Sequence, residues 1–169
     1  MMTKEQINKL VTKYWAKEWP LTKDKQSYAF PPYEHRYDPI SSGICYSFLR
    51  HFKPRVCLSV GTWLGGSVGV ILKTLQKNNK DFIYITSELE PELQKKTLEN
   101  VLQYYDQTPS MIGDITKNLD KVPSQLDFLF IDTNHDKETT EWIIENIFPR
   151  VKKKGLVAIH DFAILEIDG

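Results

Sequence analysis

Four of the chain's eight glycines fall close together, at Gly61, Gly65, Gly66 and Gly69 of "VGTWLGGSVG". Glycine is favoured where the backbone takes unusual dihedrals or must approach another group without a Cβ in the way. A helix opening near Gly66 aims its first amides back at the bend, which favours an anionic group there. Ser67 adds a hydroxyl donor. Further along, "ITSELEPE" supplies Glu88 and Glu90, and an acid after the second strand of an α/β unit suits a ribose hydroxyl. The spacing G-x-x-x-G-G-S departs from the G-x-G-x-x-G of dinucleotide binders and weakens a nicotinamide reading. A bend plus an acid is common to several nucleoside-containing cofactors. The alternative is a glycine cluster that serves helix packing, with the acids exposed.

A second group of reactive types lies later, with Asp132 and His135 in "IDTNHDKE" and His160 and Asp161 in "AIHDF". Carboxylates are hard oxygen ligands suited to magnesium. Histidine titrates near neutral pH, as a general base must. His160 reads equally well as a hydrogen-bonded histidine at a strand end. His35 and His51 have no such neighbours and are expected at the surface.

These residues need elements to hold them. Thr3 with Gln6 fits a capping box, and Ile7, Leu10, Val11, Tyr14 and Trp15 continue at helical spacing. The stretch Trp19–Pro39 is rich in proline and aromatics and has no period. It is expected to be a lid or substrate wall, with core packing of Tyr28, Phe30, Tyr33 and Tyr37 as the alternative. A second amphipathic helix is predicted with Ile44, Cys45, Phe48, Leu49 and Phe52 on one face. Strands are then predicted at Val56–Val60, Phe82–Thr86, around Met111, over 126–132 and at Gly155–His160. Helices are predicted at Gly66–Gln76, Pro91–Tyr105 and Lys137–Arg150. Strands alternating with helices define an α/β chain with a doubly wound parallel sheet, and the runs "FLFI" and "LVAI" suit strands buried on both faces. Ligands of such sheets sit at the carboxyl ends of the strands, where both reactive groups fall.

The chain has 169 residues, enough for one domain with a substantial core. Its 22 basic and 22 acidic side chains cancel, so no general electrostatic case exists for nucleic acid or an anionic membrane. The run "KKK" at 152–154 reads as a solvated turn. Cys45 and Cys57 read as reduced core residues. With neither a signal-like start nor a long apolar run, a cytoplasmic location is expected.

The segments "CLSVGTWLGGS", "YITSELEPE", "MIGD", "LDFLFIDTNHDKE" and "KKKGLVAIHDF" occur in the order and rough spacing of class I S-adenosylmethionine-dependent methyltransferases. They resemble the small-molecule O-methyltransferases most, over residues 40 to 162. The resemblance implies a Rossmann-like methyltransferase fold in which Gly61, Thr62, Gly65 and Ser67 hold the methionine end of S-adenosylmethionine. Ser67 would reach its carboxylate and Gly66 completes that bend. Glu88 would take the ribose hydroxyls, Gly113 and Asp114 would form the adenine turn, and Trp63 would wall the pocket. Asp132 and Asp161 would hold a divalent ion, magnesium, with Asp132 also catalytic and His135 as base. Two departures stand out. Ser59 occupies a position usually acidic, and strands six and seven of the family sheet have no counterpart before Gly169. Either the chain is a fragment or, if these residues are the entire chain, strand five is expected to be covered by self-association or by the tail "AILEIDG".

The resulting expectation is an N-terminal part, residues 1–53, of helices and an irregular lid, and a cofactor-binding core, residues 54–169. The chain would methylate a hydroxyl oxygen of a small molecule, with neither nucleic acid nor membrane as partner and with self-association open. A nicotinamide-dependent dehydrogenase and a vestigial, non-catalytic cofactor-binding domain are the rivals.

Overall fold

The computed structural model describes residues 3–18, 39–78, 81–134 and 136–161. The segment 19–38, His135 and the tail 162–169 lie outside the described residues, and with them the lid, the base and the proposed cover of strand five.

Helix α1 spans Lys4–Glu18. Its capping box forms as expected: Thr3 N donates to Gln6 Oε1 at 2.8 Å and Gln6 N donates to Thr3 Oγ1 at 3.2 Å. Helix α2, Pro39–Phe52, begins at a proline, whose missing N–H costs nothing in a first turn. The two helices meet where α2 has no side chain. A Cβ on Gly43 would stand 2.2 Å from the Trp15 ring.

One ionic cluster fastens this pair to the next helix, α3, Gly66–Asn78. The Glu18 carboxylate accepts from the Tyr46 hydroxyl and from Arg50 Nε, each at 2.9 Å, and meets Lys77 Nζ at 3.0 Å. Partial burial alone would raise its pKa. Hydrogen bonds from Arg50, Lys77 and Tyr46 outweigh that and hold Glu18 at about 2.

The sheet consists of β1 (Val56–Val60), β2 (Ile83–Ser87), β3 (Ser110–Met111), β4 (Leu126–Ile131) and β5 (Val151–Ile159). All neighbours are parallel and the order is β3-β2-β1-β4-β5. Chain order reverses between β1 and β4, which is where such sheets open a crevice. Alternate residues feed two cores. Cys57, Tyr84, Phe128 and Phe130 pack with Cys45 and Leu49 of α2 and with Val68, Ile71 and Leu72 of α3. Leu58, Val60, Ile85, Leu129 and Ile131 pack on the opposite face with Ile143 and Ile147. Helices α4 (Pro91–Leu102) and α5 (Lys137–Asn146) complete the winding. Burial pushes the Cys45 thiol up to about 12 and Cys57 higher still, so both are inert free thiols of the core.

Several boundaries differ from the sequence expectation. Helix α5 stops at Asn146, and Pro149 falls in a separate 3-10 turn, Phe148–Arg150. Proline has no N–H to continue the α-helical ladder. The lysine run is not a plain turn, because β5 already begins at Val151. Its register jumps from Leu126↔Val151 to Phe128↔Leu156, so Lys152–Gly155 bulge out of the ladder. Lys152 Nζ turns back to Asp127 at 2.7 Å, and the other Asp127 oxygen accepts from the amides of Arg55 and Val56 at 3.0 and 2.9 Å. The face expected for α2 is also rotated. Cys45, Tyr46 and Leu49 are buried, whereas Ile44 and Phe52 are exposed.

The Glu18 cluster predicts an acid-sensitive contact. A carboxylate whose folded pKa lies below its unfolded value of about 4.5 stabilises the fold above that pH, and the stabilisation is lost as pH falls toward about 2. Glu18→Gln should abolish this component and lower stability at pH 7 by roughly 1–3 kcal/mol. Denaturant melts of both proteins from pH 7 to pH 2.5 should converge. Parallel curves would show that the cluster contributes nothing.

Candidate active site

The bend after β1 is built from alternating left-handed residues: Gly61 at φ 84°, Trp63 at φ 46° and Gly65 at φ 95°. Gly61 is required by the protein itself. A Cβ there would lie 1.9 Å from the Asp132 carbonyl oxygen. The strand ends stay laced together past the sheet, with Gly61 N donating to Ser87 O, Asp132 N to Val60 O and His160 N to Ile131 O, each at 2.9 Å. Gly65 faces α4, where Thr97 Cγ2 would meet its Cβ at 3.4 Å. Trp63 is a bulky residue in a conformation that costs it energy, and the residue is 64% exposed.

The bend's amides are spent on Glu88. Glu88 Oε2 accepts from Thr62 N at 2.9 Å, Trp63 N at 2.8 Å and Thr62 Oγ1 at 3.2 Å. Glu88 is buried, and its Oε1 accepts a long bond from Glu90 N at 3.4 Å. The acid therefore does two things: one oxygen braces the glycine bend, and its side chain lines the adjoining cavity. Thr97 supports the bend from α4, donating from its hydroxyl to Trp63 O at 2.6 Å.

A cavity of about 380 Å³ opens at the switch point. Of the residues expected there, Gly61, Trp63, Glu88, Asp114 and Asp132 line it. Thr62, Gly65, Gly66, Ser67 and Gly113 are not among its lining residues. Thr62 and Ser67 are buried behind the bend, and Gly113 presents its carbonyl to the Ser87 hydroxyl at 2.7 Å. The apolar wall, Leu89, Leu93 and Ile115, escaped the sequence reading, as did Ser87, Asn134 and Thr139. Leu89 carried a readable signal, an isolated apolar residue between two acids and one place after Glu88. The Asp114 carboxyl is held below the usual carboxylate range, chiefly by the Thr116 hydroxyl, with help from Lys117. Ser59 lies deeper, buried and paired with the Tyr84 hydroxyl at 2.8 Å. A neutral pair thus occupies the place where the resemblance leads one to expect an acid.

The second reactive group assembles beside this cavity. His160 Nδ1 stands 3.2 Å from Asp132 Oδ1 and 3.2 Å from Asp161 Oδ2. Asp132 borders the cavity at the switch point, whereas His160 and Asp161 border a groove of about 470 Å³ between β5 and α2. That groove has apolar walls from Ile44, Phe48, Leu156 and Ala158. One donor atom from each of Asp132, His160 and Asp161 lies within 4.8 Å of the others.

Residues 58–162 match the family described as "Methyltransferase domain", and the chain belongs to that family. No curated protein matches it in sequence. Its fold is the class I, S-adenosylmethionine-dependent methyltransferase fold. It is similar to the methyltransferase PaMTH1 of Podospora anserina, solved with S-adenosylhomocysteine bound, at 16% identity and TM-score 0.64, over 95% of this chain and 71% of that one. It is also similar to the O-methyltransferase TomG of Streptomyces achromogenes, solved with S-adenosylmethionine, at 17% identity and TM-score 0.56, over 86% of this chain and 70% of that one. An O-methyltransferase of Bacillus cereus in complex with S-adenosylhomocysteine matches at 14% identity and TM-score 0.56, over 86% of this chain and 63% of that one. The chain thus spans roughly two thirds of the length of the structures it resembles. Among the described residues no helix is long and apolar enough to cross a membrane.

Two substitutions separate the bend's own stability from ligand binding. Gly61→Ala meets backbone that cannot move aside, at a left-handed position, and should destabilise by more than about 2 kcal/mol. Glu88→Ala removes charge-assisted bonds to two amides and should cost about 1.5–3 kcal/mol of stability even without ligand. Equal thermal unfolding of wild type and Glu88→Ala would show that the bend holds its shape without the acid.

Proposed function

We propose that this chain binds S-adenosylmethionine in the cavity at the switch point and directs methyl transfer to a hydroxyl oxygen of a small molecule. The observation that carries the reading is the position of Glu88, braced by the bend and lining a cavity whose opposite rim is Asp132. The walls suit a nucleoside. Leu89, Leu93 and Ile115 offer apolar surface to a base, and Glu88 and Asp114 offer acceptors to hydroxyl and amino groups. We assign Gly61 and Trp63 to the same cofactor site. Thr62, Gly65, Gly66, Ser67 and Gly113 would shape it from behind. We further assign residues 1–53 to covering the acceptor and residues 54–169 to holding the cofactor.

When bound, S-adenosylmethionine supplies an electrophilic methyl group. The chain's own task is alignment and removal of one proton from the acceptor oxygen. Glu88 would fix the ribose and so the distance from the bend to the transferring group. Asp132 and Asp161 are carboxylates fitted to hold a divalent ion, magnesium by the resemblance, which would supply Lewis acidity at the acceptor hydroxyl. His135 is proposed on sequence alone as the residue that takes the proton on an imidazole nitrogen. The family match favours a methyltransferase and gives no support to the dehydrogenase reading.

Calorimetry with S-adenosylhomocysteine tests the cofactor, with binding expected in the wild type and affinity reduced about tenfold or more in Glu88→Ala. His135→Ala should leave that binding nearly intact and lower turnover of a hydroxylated acceptor about 100-fold. Absence of binding would remove the cofactor reading. Binding without turnover of any hydroxylated acceptor would favour the non-catalytic one.

A further inference from the structure

We propose that Asp132, His160 and Asp161 form a single divalent-cation site with one nitrogen and two oxygen donors, and that it selects a first-row transition ion over magnesium. The proposal rests on the reading above, in which Asp132 and Asp161 hold an ion, and adds His160 as the ligand that decides which ion.

The geometry comes first. One atom of each residue falls within 4.8 Å of the others, and His160 Nδ1 is 3.2 Å from both carboxylates. Donors bonded at about 2.1 Å and at right angles to one another stand about 3 Å apart. One hydrogen on His160 Nδ1 serves one carboxylate at a time, whereas a cation among the three donors would engage both.

The backbone holds these donors in place. Asp132 and His160 sit on adjacent strand extensions, each tied by its own amide to the neighbouring strand at 2.9 Å. Asp161 takes a left-handed conformation, φ 54°, which aspartate tolerates better than most residues. That turn brings its side chain back beside His160 instead of continuing away along the strand. Asp132 and His160 are partly buried and Asp161 is exposed, so an ion held here would keep open positions.

The donor chemistry then discriminates. Magnesium favours oxygen ligands and gives up water reluctantly. Imidazole suits iron, nickel, copper and zinc, and the affinity of a mixed nitrogen and oxygen site rises from manganese through iron, cobalt and nickel to copper, with zinc below copper. An all-oxygen set at these three positions would suit magnesium. Histidine at position 160 shifts the balance.

The test uses protein stripped with EDTA and titrated calorimetrically with MnCl2, ZnCl2 and MgCl2, with S-adenosylhomocysteine binding measured on the same samples. We expect Mn2+ and Zn2+ to bind at least tenfold more tightly than Mg2+. His160→Asp should lower Zn2+ affinity at least tenfold and narrow or reverse the preference over Mg2+. Pulsed electron paramagnetic resonance of the Mn2+-loaded protein should show a histidine nitrogen coupling, absent in His160→Asp. Wild-type titration alone decides the matter if that variant does not fold. Equal or tighter Mg2+ binding, no binding of Mn2+ or Zn2+, or an unchanged nitrogen coupling in the variant would overturn the site. If S-adenosylhomocysteine still binds in those cases, the cofactor reading stands while this inference falls.

Discussion

The structure turns on the contact between Gly61 and the carbonyl of Asp132. Strands β1 and β4 run parallel at the centre of the sheet, and their ends stay bonded past the last paired residues, from Val60 O to Asp132 N. That lacing leaves no room for a side chain at position 61. Because residue 61 can fold back over the β4 end, the chain can enter α3 steeply and leave a crevice beside it. The same contact fixes the Asp132 backbone and therefore where its carboxylate emerges.

Glu88 couples this contact to the second strand. A carboxylate accepting two backbone amides is well compensated for its burial, since each bond involves a charged acceptor. The arrangement explains why the bend tolerates a left-handed tryptophan, whose cost is offset by the hydrogen bond from its own amide. It also makes the cofactor-side acid a structural residue. Loss of Glu88 acts on the shape of the bend and on the cavity together, and only a measurement without ligand separates the two.

Two concave surfaces meet at the Asp132, His160 and Asp161 cluster. One is the mixed polar and apolar cavity at the switch point, and the other is the apolar groove between β5 and α2. Helix α2 explains the groove. Its buried side, Cys45, Tyr46 and Leu49, is committed to α3 and the sheet, so Ile44 and Phe48 are left to face the groove at the β5 edge.

Much of this was legible in the residues. The alternation of buried β runs with amphipathic helices depends on local periodicity, and it located all five strands, β1 to the residue. The capping box of α1 and the start of α4 at Pro91 are likewise local. The glycine bend and Glu88 were legible as a pair because their chemistry is unusual. What only the tertiary structure decided was which partner each of them meets. Local spacing marks the bend and the acid, but only the fold shows that Thr62 and Trp63 give their amides to Glu88 and that Gly61 answers to the Asp132 carbonyl. The outward face of α2 depends on packing against α1, α3 and the sheet, and the bulge at the lysine run on a register jump against β4, for which local spacing carries no signal. Sequence alone leaves His160 between a reactive group and a hydrogen-bonded strand-end histidine, because the distance from one strand end to the next is set by the sheet. Periodicity is a property of neighbours along the chain, whereas a site is a property of neighbours in space.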